Sequence, residues 1–154
     1  MRTLCTLIFF LFSSFSLAQI QRPFVTDSCT GYREGTQKNP TLWEDCCKNH
    51  DLFFWAGGNK SQRKTVDKEL KACIKSKAGN FHATIMYLGV SIGGLSPIKF
   101  GGKQWGNAWG KKTRKTKLSE LELAELKQSL ELDSELESDK IESFIFDLLQ
   151  RNKE

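Results

Sequence analysis

The chain has 154 residues, five cysteines and a formal net charge of +5. That length holds one domain with an appendage at most, and no apolar stretch reaches the ~20 residues that a membrane span needs. Charge is uneven, roughly +10 over residues 19–116 and about −6 over residues 117–154, so the body suits an anionic partner and the tail does not.

Residues 1–18 read as a secretory signal peptide. Arg2 supplies the charge, residues 4–12 are apolar apart from Thr6, and Ser16-Leu17-Ala18 ends in small residues suited to cleavage before Gln19. The expected location is therefore secreted or periplasmic. Outside the cytoplasm, the anionic partner of a basic body is a phospholipid or envelope surface rather than nucleic acid. Cys5 leaves with the leader, and Cys29, Cys46, Cys47 and Cys73 remain. In an oxidising compartment they predict disulfides. Adjacent cysteines rarely bridge each other, so Cys46 and Cys47 reach Cys29 and Cys73 in some order. The lack of a C-x-x-C spacing argues against zinc.

The body, residues 19–110, opens with an extended loop containing Pro23, Gly31, Gly35 and Pro40. A helix is predicted over 41–56, started by a Thr41/Glu44 capping box and stopped by Gly57-Gly58. A second is predicted over 61–77, with Val66, Leu70, Cys73 and Ile74 inward and Gly79 past its end. The short connection makes them antiparallel.

The first helix carries Asp45-Cys46-Cys47-Lys48-Asn49-His50-Asp51. At about 100° per residue, His50 rises between the directions of Cys46 and Cys47, and Asp51 lies close to Cys47. If Cys46 is bridged to Cys73, His50 lies ~6 Å along one helix and Asp67 ~9 Å back along the other. Antiparallel directions then bring His50 and Asp67 level. Glu44 and Asp45 read as a cap and a solvated charge, and His82 has no evident role.

Residues 80–94 predict a short, largely buried helix or apolar loop. Residues 100–115 combine Trp105 and Trp109 with glycines and with Lys111, Lys112, Arg114 and Lys115. Two readings compete. Either the tryptophans sit at a bilayer interface with Lys111 and Lys112 meeting anionic headgroups, or they close the core while the lysines stay in water. Residues 111–117 read as a basic linker. Residues 118–152 read as an acidic helical tail with a Ser134/Glu137 capping box and an amphipathic stripe of Ile141, Phe144, Ile145, Leu148 and Leu149. The stripe could dock on its own domain, pair with another copy or bind a protein partner, and docking on its own domain is the simplest use.

The pattern Asp45-Cys46-Cys47-x-x-His50-Asp51, with Asp67-x5-Cys73 after it, resembles the active site of secreted phospholipase A2, over residues 27–74. It also looks like compact bacterial proteins with a Trp-x-x-Cys-Cys-x-x-His-Asp helix followed by Gly-Gly. The resemblance implies a mainly α fold: an antiparallel, disulfide-linked helix pair with a calcium-loop-like segment, here with a C-terminal helical appendage. It implies disulfides Cys29–Cys47 and Cys46–Cys73, His50 as general base, Asp67 orienting it, and Ca²⁺ held by Asp51 with backbone carbonyls of Gly31 and Gly35. The implied reaction is hydrolysis of the sn-2 acyl ester of phospholipids. A non-catalytic envelope- or membrane-binding module on the same scaffold is the alternative. Phe54 stands where the family often has tyrosine, and Phe53 where it has a further cysteine.

The chemistry suits those residue types. Imidazole, with an ordinary pKa near 6.5, can take a proton from water at neutral pH. A carboxylate on its far nitrogen fixes the tautomer. A hard cation beside it, bound by oxygens, would neutralise the oxyanion.

Overall fold

A computed structural model describes residues 20–93, 105–110, 116–132 and 136–153. Within them the chain is helical and contains no strand: α1 (Glu44–Ala56), α2 (Lys60–Gly93), a 3-10 turn (Asn107–Trp109), α3 (Glu120–Glu131) and α4 (Ser138–Lys153). The leader, Lys111, Lys112 and Ser134 lie outside the described residues.

The start of α1 is not the expected capping box. Trp43 is its N-cap and no side chain caps it. Instead Trp43 donates its backbone N–H to Glu34 O (2.9 Å) and its indole Nε1 to Arg33 O (2.7 Å). The loop thus fastens the helix start through a fully buried tryptophan. Glu44 is drawn away, to Ser28 Oγ and to Lys48. At the other end Gly57 (φ 81°) donates to Phe53 O and stops the helix, because a positive φ is cheap only for glycine.

A reciprocal cap starts α2. Asn59 N donates to Gln62 Oε1 (2.7 Å), and Gln62 N donates to Asn59 Oδ1 (2.9 Å), so two orphan N–H groups are satisfied at once. The helix then runs to Gly79, whose φ of 77° and ψ of −178° are not helical. There it doubles back. Lys71 Nζ lies 5.0 Å from the ring centroid of Tyr87, although 16 residues of straight helix would separate them by ~24 Å. The expected second helix ends where Gly79 predicts. The run after it is a helix rather than a loop, and only its inner face is buried, through Ala83 and Met86.

Two apolar clusters result. One joins Cys29, Trp43, Cys46, Cys47, Leu70, Ile74, Ala83 and Met86. The other joins Phe24, Leu52, Phe53, Trp55, Val66, Trp105 and Trp109 to Leu123, Leu126, Leu130, Ile141, Phe144 and Leu148 of the tail. The tail therefore completes the core rather than hanging from it as an appendage. Each such side chain contributes about 1.5–3 kcal/mol when fully buried, which outweighs a surface ion pair. An ion pair that joins tail to body even runs against the overall charges, from Arg151 to Glu69 (2.8 Å). Within the tail, Ser119 and Glu122 form a capping box on α3. Helix α4 spans Ser138–Lys153, and Glu137 O accepts from Ile141 N in its first turn.

Trp105 and Trp109 are buried. Their indoles donate to Gly58 O (2.9 Å) and Ala56 O (2.8 Å), at the end of α1. That overturns the bilayer-interface reading for both. A helix end leaves carbonyls unpaired, and a buried indole needs an acceptor; each solves the other's problem.

Candidate active site

Helical spacing puts Cys46, Cys47 and His50 on the buried side of α1. Two disulfides hold that face. Cys29–Cys47 (Cα–Cα 5.1 Å) ties it to the loop, and Cys46–Cys73 (Cα–Cα 5.8 Å) ties it to α2. Both pairings are those that the resemblance implies.

With Cys46 bridged to Cys73, His50 and Asp67 come level, and His50 Nε2 lies 3.0 Å from Asp67 Oδ1. Both residues are buried. A carboxylate accepts, so Nε2 carries the proton and Nδ1 becomes the basic nitrogen. Among the described residues Nδ1 has no hydrogen-bond partner. Phe54 stacks on the imidazole, with ring centroids 6.1 Å apart and planes at 29°. Trp105 stands edge-on to Phe54 at 5.8 Å, and Gly106 N donates to Phe54 O (2.7 Å). The Gly-Trp segment thus acts on the site from behind, by holding Phe54 in place.

A cavity of about 290 Å³ opens beside His50, with Asn49, Glu69 and Lys140 among its lining residues. That is the small end of the range for ligand pockets. Lys140 comes from α4, so the tail contributes to the wall.

Asp51 is half-buried and accepts a hydrogen bond from Thr26 Oγ1 (2.6 Å). Thr26 Oγ1 also accepts from Ser28 N (2.9 Å), and Asp27 Oδ1 accepts from Thr30 Oγ1 (2.8 Å). Of residues 26–31, Thr26 brings one hydroxyl oxygen to Asp51, and oxygen is the donor chemistry that a hard cation takes. Gly31 adopts φ 70° with open space where a Cβ would stand. Gly35 has a packing role: a Cβ there would collide with the backbone of Asn39 and Pro40.

The ligand atoms of Asp45, Cys46 and Cys73 also lie close together. Both sulfurs belong to one disulfide, however, and a metal needs a thiolate. Asp45 is engaged by Lys77 Nζ at 2.6 and 2.7 Å. Burial works to raise its carboxyl, but the Lys77 hydrogen bond and charge prevail and hold it below its ordinary value.

Sequence reasoning missed Thr26, Lys140 and the stacking of Phe54. Phe54 was legible, since it lies four residues after His50 on a helix. Thr26 and Lys140 reach the site through tertiary packing, and no spacing announces them. His82, given no role, lies 2.8 Å from Tyr32 Oη through Nδ1 and packs beside Trp43, joining the loop to the returning run of α2. Comparison with known protein families, with curated proteins and with solved structures finds no match.

Proposed function

We propose that the chain is an exported ester hydrolase that cleaves the sn-2 acyl bond of phospholipids. The observation that carries this reading is the buried His50–Asp67 pair (3.0 Å), braced by two disulfides and bordered by a cavity. Nδ1 of His50 takes the proton of an attacking water, while Asp67 holds the ring and balances the charge that it gains. Phe54 limits rotation of the ring. The proton passes from His50 to the leaving alkoxide as the ester opens. Asp51, with carbonyls near Gly31, would hold a Ca²⁺ that supplies positive charge for the oxyanion.

The seclusion of the pair favours a second reading. Both side chains are more than nine-tenths covered, which suits a structural link between two helices of a non-catalytic membrane-binding module.

Fatty-acid release from phospholipid vesicles, with Ca²⁺ or with chelator, separates the two. Hydrolysis with Ca²⁺ that His50→Gln abolishes, with an unchanged circular dichroism spectrum, supports the enzyme. Equal release by His50→Gln, or none by the parent from several lipids, sinks it.

A further inference from the structure

The returning run of α2 is buried on one face and bare on the other. Phe81 is 71% exposed, Ile85 39%, Leu88 50% and Ile92 66%. Their 4-3-4 spacing gathers them within about 60° of arc, so they form one apolar ridge. Residues 80–93 contain no Asp, Glu, Lys or Arg. Such a ridge is costly in water and marks a contact surface.

Its neighbour tells what kind. On the first run of α2, Lys64, Lys68, Lys71 and Lys75 repeat the same 4-3-4 spacing and form a second stripe. Lys64, Lys68 and Lys75 are exposed and Lys71 half-buried. The turn at Gly79 folds the two runs together, and Lys71 over the Tyr87 ring (5.0 Å) is where they meet. The two paired runs thus carry an uncharged apolar ridge on one and a row of ammonium groups on the other, and Lys71 of that row reaches the flank of the ridge-bearing run at Tyr87. A protein partner's groove would match the ridge alone. A layer with an apolar interior and anionic headgroups matches both.

The geometry points to the ridge Phe81–Ile85–Leu88–Ile92 as the surface by which the protein docks on an anionic lipid layer. The ridge enters the acyl boundary, and Lys64, Lys68 and Lys75 stay at headgroup level. No helix among the described residues is long and apolar enough to cross a membrane, so the contact is peripheral. This inference takes up the lipid partner of the proposed hydrolase and assigns the surface that meets it, which is neither Trp105 nor Trp109.

The test uses the full disulfide-bonded chain with His50→Gln, so that lipid stays intact; glutamine can still donate to Asp67. It is sedimented with vesicles of equal phosphatidylglycerol and phosphatidylcholine, and with phosphatidylcholine alone. Binding to the anionic vesicles is expected, weakened by salt, and Leu88→Glu with Ile92→Glu should lower it roughly tenfold or more with helix content unchanged. No binding by the parent, or equal binding by the double variant, overturns the proposal. So does a lipid-free dimer that these substitutions dissociate while vesicle binding is unaffected, which assigns the ridge to a second copy. Hydrolysis of dispersed short-chain phospholipid monomers by the unsubstituted chain keeps the two readings apart. Monomer hydrolysis without vesicle binding removes the docking surface and leaves the enzyme; binding without any hydrolysis does the reverse.

Discussion

Trp105 reaches His50 through one intervening ring: its edge meets Phe54, and Phe54 stacks on the imidazole. The same indole donates to Gly58 O, so it closes α1 and backs the candidate base together. Trp105→Phe keeps an aromatic ring but leaves that carbonyl without the indole donor, and should cost about 1–2 kcal/mol. Trp105→Ala should cost about 3–5 kcal/mol. Urea denaturation measures both. Vesicle binding by Trp105→Phe should match the parent, and a selective loss of binding would return this residue to the lipid surface.

Asp67→Asn separates orientation from charge. The carboxamide oxygen can still accept from Nε2, yet it cannot balance the imidazolium. Turnover should fall by about 10²–10⁴ with little change in the unfolding midpoint. Asp67→Ala should also destabilise, by about 1–3 kcal/mol, because it leaves a buried imidazole N–H unpaired. Undiminished turnover in Asp67→Asn would show that the pair is structural.

The two disulfides close loops with sequence separations of 27 and 18 residues, and chain entropy makes each worth about 3–4 kcal/mol. Their effects on activity should differ. Replacing Cys46 and Cys73 with serine unties the helices that carry His50 and Asp67, so turnover falls sharply. Replacing Cys29 and Cys47 loosens the segment beside Asp51, so under the proposed Ca²⁺ role the concentration needed for half-maximal activity should rise. Fatty-acid release titrated against Ca²⁺ reads both effects; the opposite pattern would refute the assignment.

On α3, Glu125 Oε2 is buried without a hydrogen-bond partner among the described residues. Burial, with the charge of Glu122 adding to it, raises its carboxyl above the ordinary value. A raised acid opposes folding once the unfolded chain ionises. The penalty grows as pH climbs through the ordinary value and is complete above the folded one. Glu125→Gln should therefore raise the melting temperature at pH 7 and leave it unchanged at a pH below the ordinary carboxyl value. Thermal unfolding at both pH values decides this; a gain confined to the acidic sample would reverse the sign.

Local patterns settled much of this protein. The 3.6-residue period of Val66, Leu70 and Ile74, the stops at Gly57 and Gly79, and the amphipathic stripe of Ile141, Phe144 and Leu148 each express nearest-neighbour geometry along the chain. The same arithmetic put Asp67 level with His50 once Cys46 was joined to Cys73, because helix rise converts sequence distance directly into space. Tertiary structure decided what no period encodes. It chose the core for Trp105 and Trp109, because two helix-end carbonyls needed donors. It brought Thr26 to Asp51 and Lys140 to the cavity across long stretches of chain. It also turned residues 80–93 back at Gly79, and so decided which face of an apolar helix was left bare. Spacing specifies which residues share a face; only packing specifies what that face meets.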